Sequence, residues 1–480
     1  MASFEELQRA FVERLGTASV SDLETGTVVV LPSPTFATAE LRKIIGVLRY
    51  EERLLCLLLW LVKPSLRMVY ITSLPVDPAV VDYYLSFLPD PAGARRRLTM
   101  VTLHDAEVAA LSAKLARRPD VLDEIAAAAG PADQAYVLPF NVTEHERAIS
   151  EYIQLPVYGA PAEAAVLGSK SGSRRVGRQA GVAVLPGEED LMSIAEVDAA
   201  IDRLRDAGVS AVVIKLNHGF SGQGNAIVDL EQHTKGTVTE APTIFCASEE
   251  SWPSFSAKIE DEGAIVEELV AADEVVSPSV QVRIAPNGAV EVVSTHDQIL
   301  GGPQNQVYLG CRFPASPDYR LLIQEQGEWV AEVLAAEGVI GSFGIDFVVL
   351  PDGEIYLSEI NLRMGGTTHP LWMARLATGG EFHAPSGELR AKGQSRFYVA
   401  SDNLKSAALA GRSPGDVIAE VRRRGWAFDP ERGTGTTLHL LGALTEHGKM
   451  GVTCIAGSPA DAASLYDEVV ATLTGETPAT

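Results

Sequence analysis

Four short apolar runs rich in β-branched and aromatic residues open the chain: TVVVLPS near 27–33, RMVYITS at 67–73, RLTMVTL at 97–103 and AYVLPF at 135–140. Segments of helical length separate them, and such alternation predicts a small parallel α/β layer over residues 1–160. The strands end in Ser, Thr, Pro or Asn, yet no Gly-x-Gly-x-x-Gly follows the first of them. A Rossmann-like layer that holds no dinucleotide of its own is therefore expected. The most apolar run, LLCLLLWLV at 54–62, is far short of the roughly 20 residues that span a bilayer and predicts a buried helix.

From about 161 to about 392 the texture changes to strands punctuated by Lys, Gly and Glu. A polar break at 379–394 then leads into RFYVAS, a helix near 415–424, two strands at 436–444 and 450–457 around a turn at Gly448, and a closing helix from about 459. The pattern thus divides into three domains, 1–160, 161–392 and 393–480, the last a compact α+β appendage. A length of 480 residues agrees with three domains, at roughly 150 residues each.

The segment GSFGIDFVVLPDGEIYLSEINLRMGGTTHP at 341–370 carries the strongest chemical signal. Pro351, Asp352 and Gly353 supply turn chemistry between two β-rich arms, which should fold back as an antiparallel hairpin. Partners across a hairpin have numbers of constant sum, so a turn centred near 352–353 sets Asp346 opposite Glu359. Opposed like charges at a Cβ separation of about 4.5–5.5 Å are destabilising. Asn361 falls on the same face two residues on and completes an all-oxygen donor set suited to Mg²⁺. Arg363 follows on that face, where a guanidinium can clamp a phosphoryl group. Gly365, Gly366 and Thr367, in the next loop, are expected to meet a substrate.

Upstream, AVVIKLNHGFSGQGN at 211–225 reads as a strand bearing Lys215 followed by a loop with Gly219, Ser221, Gly222 and Gly224. Glycines leave backbone amides free to approach phosphate oxygens. Taken alone, this is an ordinary glycine-rich hairpin, and it is neither a Walker A motif nor a nucleophile elbow. In GSKSGSRRVGRQ, Ser169 can cap a helix whose first turn holds Lys170, a position that disfavours a cation unless it reaches a bound anion. In GAIVEELVAADEVVSPSVQVRI at 263–284 a strand ends in Glu267 and Glu268, and Leu269, Glu274 and Arg283 follow. Carboxylates at such a strand end can accept hydrogen bonds from an adenine amino group or ribose hydroxyls.

Charge and cysteine content narrow the function. Against 39 Lys and Arg stand 63 Asp and Glu, a net charge of −24, which repels nucleic acid and anionic membrane. An anionic nucleotide would then need a local group of cations. The amphipathic start MASFEELQRAFVERLG lacks the basic and apolar regions of a signal peptide, so a cytoplasmic location is expected. Cys56, Cys246, Cys311 and Cys454 lie far apart and form no zinc or redox pair.

Together these motifs resemble the ATP-grasp superfamily over roughly residues 160–375. The resemblance implies an ATP-grasp fold, of mixed α/β and α+β class, with a Rossmann-like domain before it and the α+β appendage behind. It implies ATP contacts from Lys170, Lys215, the loop Gly219 to Gly224, and the hinge Glu267, Leu269 and Glu274. Asp346, Glu359 and Asn361 would hold magnesium. Leu216 stands where a proline usually follows the second lysine. The segments LGSKSGSRRVGRQAGV and NLRMGGTTHP, with the appendage, look most like the pheganomycin-type peptide ligases of antibiotic biosynthesis.

What the resemblance implies is a carboxylate–amine ligase. ATP phosphorylates a small substrate carboxylate, and the amine of an amino acid or peptide then displaces phosphate. Arg283 and Arg363 would join the lysines in neutralising charge during phosphoryl transfer. His296, beside Asp297, is either a structural histidine or the group that orients or deprotonates the amine, and no catalytic role falls to His218 or His369. A dipeptide-forming amino-acid ligase and a non-catalytic nucleotide-binding module are the alternatives. A homodimer is compatible with any of them.

Overall fold

The computed structural model describes residues 2–15, 23–219, 224–233, 236–247, 249–270, 275–301 and 307–475. The four predicted N-terminal strands form as Thr25–Leu31, Ser65–Thr72, Leu98–Thr102 and Ala135–Pro139. They pair in parallel, third to second to first to fourth in chain order. Their unbroken apolar runs follow from being covered on both faces. Val28, Val30, Met68 and Tyr70 enter one core, while their neighbours Val29, Leu31, Val69 and Ile71 enter another. The run LLCLLLWLV lies in a helix, Val47–Val62, wound as a 3-10 helix and buried from Leu54 to Leu61.

A second, antiparallel sheet has five strands in the order Gly187–Leu191, Ala264–Glu268, Ala211–Leu216, Asn225–Asp229 and Thr243–Phe245. Helices Ile194–Asp206 and Trp252–Glu262 pack on one face through Val197, Ile201, Phe255 and Ile259. Alternation then turns Lys215 to the opposite face.

The third sheet has ten strands. Strand Ile355–Asn361 lies at one edge, followed by Gly341–Val349, Pro278–Ile284, Val290–Gly301, Val307–Phe313 and Gln394–Lys405. Because Cys311 pairs with Ala400 and Phe313 with Tyr398, this sheet runs straight across the composition break near 392. The C-terminal strands are thereby fixed to the wall that carries the hairpin.

One C-terminal expectation needs correction. The strand expected over 436–444 stops at His439, Leu440 turns to φ +54°, and short helical turns cover Leu441–Ala443 and Leu444–His447. Tertiary packing overrides the strand pattern there. Leu441 and Leu444 join the core that holds the Val47–Val62 helix, and Glu52 accepts a hydrogen bond from the Gly442 N–H at 2.9 Å. Gly448 closes this turn at φ +56°. Among the described residues, no helix is long and apolar enough to cross a membrane.

Candidate active site

The five- and ten-stranded sheets, with the Val47–Val62 helix and the loops that follow the first and fourth N-terminal strands, surround a cavity of about 770 Å³, and the hairpin supplies one wall. Strands Gly341–Val349 and Ile355–Asn361 pair antiparallel, with Asp346 opposite Glu359 and Gly344 opposite Asn361. That register depends on a β-bulge. Next to the turn Phe347 faces Leu357, and the register shifts between Asp346 and Phe347, so the other strand gains one residue. The shift keeps Leu357 and Ile360 both in the core, although they are three apart. Ser358 and Glu359 consequently both line the cavity, with Asp346, Asn361 and Arg363.

Electrostatics follow from this crowding. Burial, and then the charge of Glu359, pushes the Asp346 carboxyl up to about 6. Burial alone would raise Glu359 as well, but Lys170, followed by Arg363 and Lys215, outweighs it and holds that carboxyl below its ordinary value. The Lys170 Nζ lies 2.5 Å from Glu359 Oε2, and the Asn361 amide donates to Asp346 Oδ2 at 3.0 Å. No group of three His, Cys, Asp or Glu gathers among the described residues. A cation here would be held by two carboxylates and an amide oxygen. Such hard donors suit Mg²⁺, and a divalent charge would offset the repulsion that raises Asp346.

Helix Lys170–Gln179 begins where the sequence places it, with Ser169 Oγ accepting from the Gly172 N–H at 2.9 Å. Lys170 Nζ also donates to the Gly219 carbonyl at 3.3 Å, which brings the glycine loop to the hairpin. Gly219 and Gly224 pinch the base of that loop. A Cβ on Gly219 would sit 2.9 Å from the Gly224 Cα, so only glycine allows the approach. Ser221, Gly222 and Glu274 lie outside the described residues.

Two expected nucleotide contacts are already engaged. Glu267 is 2% exposed and receives Lys215 Nζ at 2.6 Å and Arg174 at 3.0 Å. Its carboxylate positions Lys215, which lines the cavity. The Leu269 N–H donates to the Ala211 carbonyl at 2.9 Å, so its donor is taken up within the sheet. Arg174 escaped the sequence reading because it lies inside a helix of ordinary polar appearance, yet it is among the largest fully buried side chains.

Two expected catalytic residues are not brought to the cavity. Arg283 shares a face with Ser279 and Gln281, which line the cavity, but it lies beyond them along the strand and pairs with Glu291 on the neighbouring strand. His296 is 0% exposed, and its Nε2 sits 2.6 Å from the Tyr398 hydroxyl. Burial lowers its pKa to about 3. The structural reading of this histidine therefore holds. Arg363, Gly365, Gly366 and Thr367 do line the cavity, and Arg363 lies over the Phe36 ring at 5.7 Å.

Residues with no local motif complete the walls: Lys43, Tyr50 and Arg53 from the N-terminal part, Tyr308 and Arg312 from a central strand, and Asp402, Lys405 and Lys449 from the C-terminal strands. Gly366 owes its identity to one of them, since a Cβ there would meet the Tyr308 ring at 2.4 Å. Gly366→Ala should displace the Tyr308 ring and lower turnover about tenfold or more, since misplacement near a reaction centre is costly. Steady-state assay of the variant checks this.

Comparison with known proteins agrees with the geometry. The family described as IQCH-like, ATP-grasp matches residues 239–360, which include the hairpin carboxylates, and the PGM1 C-terminal domain matches 416–469. The chain is 34% identical over 447 residues to the L-propargylglycine–L-glutamate ligase of Streptantibioticus cattleyicolor, covering 90% of this chain and 91% of that protein. It is 21% identical over 258 residues to the IQ motif-containing protein H of Danio rerio, across 46% of this chain and 24% of that protein. In fold it is similar to an N5-carboxyaminoimidazole ribonucleotide synthetase solved with ADP, with a TM-score of 0.56 and 12% identity over 94% of this chain and 98% of that one. It is also similar to biotin carboxylase of Campylobacter jejuni, with a TM-score of 0.55 and 15% identity over 92% of this chain and 90% of that one. A whole-length relative at this identity, the matched family and the shared fold place the chain among the ATP-grasp carboxylate–amine ligases, in the family of the L-propargylglycine–L-glutamate ligase.

Proposed function

We propose that this chain uses ATP and Mg²⁺ to phosphorylate a small carboxylate substrate and then joins the acyl group to the amine of an amino acid or peptide, releasing ADP and phosphate. The observation that carries this reading is the meeting, in one cavity, of Asp346 and Glu359 with Lys170, Lys215 and Arg363. Phosphoryl transfer asks for in-line positioning and neutralised charge rather than covalent help. Lys215, held by Glu267, and Lys170, at the base of the glycine loop, would meet phosphate oxygens. Arg363 stands beside the carboxylate pair to take up charge on the transferring group. Mg²⁺, held by Asp346, Glu359 and Asn361, would supply a counter-charge for the phosphates. Glu274 is assigned to the ribose. The loop from Gly219 to Gly224 would cover the phosphates and keep water from the acyl phosphate. ADP formation that requires a carboxylate, with an amide product matching ADP when an amine is supplied, tests the reading across a panel of each, and ADP formed equally without any carboxylate would oppose it.

Lys215→Ala should weaken binding of a non-hydrolysable ATP analogue by about 1.5–3 kcal/mol, the worth of a charge-assisted hydrogen bond. Calorimetry reads this directly, and unchanged affinity would place the phosphates elsewhere.

Metal affinity should depend on pH through Asp346. Mg²⁺ takes the ionised carboxylate, so affinity rises as pH passes about 6 and levels off above it. At pH 5 the metal should bind roughly tenfold more weakly than at pH 7.5, following the ionised fraction. In the metal-free protein the stability effect has the opposite sense. A carboxyl raised from 3.8 to about 6 by folding favours the folded state below its unfolded pKa, and that contribution is lost as pH rises through about 6. Mg²⁺ titrations at the two pH values check the first statement, and equal affinities would contradict it.

A further inference from the structure

Further across the ten-stranded sheet from the carboxylate hairpin, the C-terminal strands bring together a second pair of like charges. Strands Gln394–Lys405 and Lys449–Ala456 run antiparallel with Lys405 directly opposite Lys449, and both lysines line the cavity. Opposed cations on neighbouring strands repel as opposed carboxylates do. Lys449 is only 5% exposed. Its Nζ meets the Tyr50 hydroxyl at 2.6 Å and stands 4.9 Å from the centre of that ring. Among the described residues, no carboxylate comes within ion-pair distance of it. Burial, only partly offset by Asp402, lowers Lys449 to about 8, so it is still mostly cationic at neutral pH. A buried cation without an anion is costly, and among the described residues the Tyr50 hydroxyl is its one hydrogen-bond partner.

The surroundings are built rather than incidental. Tyr50 and Arg53 are three apart on a 3-10 helix, where such positions stack, and the Arg53 guanidinium lies 4.3 Å from the Tyr50 ring centre. Arg53 also pairs with Asp402, which neutralises it and leaves the lysines as the excess charge. Among the described residues, the buried Arg53 Nε has no hydrogen-bond partner. Its charge is felt by Arg363, so this group adjoins the phosphoryl-transfer end of the cavity. Opposed carboxylates and opposed lysines thus line one cavity.

We infer that Lys449, with Lys405 and the Tyr50 hydroxyl, forms an anchor for the carboxylate of the amine-bearing substrate, and that this substrate is a free amino acid rather than the N-terminus of a long peptide. The inference rests on the ligase reading above. An acceptor pinned by its own carboxylate presents its amine at one fixed distance, which peptides of differing length cannot reproduce. No covalent step is added, since the lysine binds the carboxylate and leaves the reacting atoms to the hairpin end.

The test compares acceptors that differ only in that carboxylate: L-glutamate against L-isoglutamine, and L-alanine against L-alaninamide, each with a carboxylate donor that supports ADP release. The unaltered enzyme should lose about 10- to 100-fold in kcat/KM when the α-carboxylate becomes an amide, through KM, as expected for a lost charge-assisted hydrogen bond. Lys449→Met should show a similar loss with the free amino acid and little further loss with the amide, while Lys449→Arg recovers part of the acceptor affinity. Thermal denaturation confirms that both variants are folded. Equal use of acid and amide by the unaltered enzyme, or equal losses on both in Lys449→Met, would overturn the anchor. Hydroxamate formation by the unaltered enzyme with hydroxylamine, which has no carboxylate, reports separately on the ligase reading. Its absence would sink that reading instead.

Discussion

Asp346→Asn and Glu359→Gln should each reduce ligation by on the order of 10³-fold or more while leaving a folded protein. Each removes one of two charges available to a divalent cation, and metal stabilisation of a phosphoryl-transfer transition state is worth several kcal/mol. The two should differ in stability. Asp346 is raised by burial and by Glu359, so neutralising it relieves both costs, and the metal-free Asn variant should melt at the same temperature or higher. Glu359 is the 2.5 Å partner of Lys170, a lysine that is 5% exposed. The Gln variant strands that cation and should gain nothing. Activity close to the unaltered enzyme in either variant at saturating Mg²⁺ would remove the hairpin from the chemistry.

Arg174→Leu should cost about 3–5 kcal/mol of stability, the range for breaking a buried ion pair from one side. The guanidinium is 2% exposed and donates from Nε to Glu189, from Nη1 to Glu267 and from Nη2 to the Leu185 carbonyl, each at 3.0 Å. Leucine fills the volume but leaves Glu267 with Lys215 alone, inside the five-stranded sheet. Denaturant unfolding should show a lowered midpoint, and ATP affinity should fall as well because Glu267, which positions Lys215, loses its second partner. A loss under 1 kcal/mol would mean that the arginine is replaceable packing.

What was legible in the sequence was what local spacing decides. The four parallel strands, the capped helix at Lys170 and the opposition of Asp346 and Glu359 follow from periodicity and turn chemistry. The last also depended on a bulge at Ser358–Glu359, which no periodicity announces and without which Asp346 would face Ser358. Arg283 and His296 misled because strand alternation gives two faces but says neither which one is wet nor how far along the strand a cavity reaches. Arg283 shares its face with Ser279 and Gln281 but lies beyond them along the strand, where it pairs with Glu291, and His296 found a partner 102 positions away in Tyr398. The lysine end of the cavity was illegible for a related reason. Tyr50, Arg53, Asp402 and Lys449 are joined only by the sheet that runs through Gln394–Lys405 and by the packing of the Val47–Val62 helix. No short stretch of sequence contains them.

The central claim is attack by a substrate carboxylate on the γ-phosphorus of ATP, and an oxygen-label experiment tests it most directly. With the substrate carboxylate carrying ¹⁸O, the account predicts ADP with one labelled oxygen in the released phosphate. Label appearing in AMP, with pyrophosphate as the other product, would contradict it.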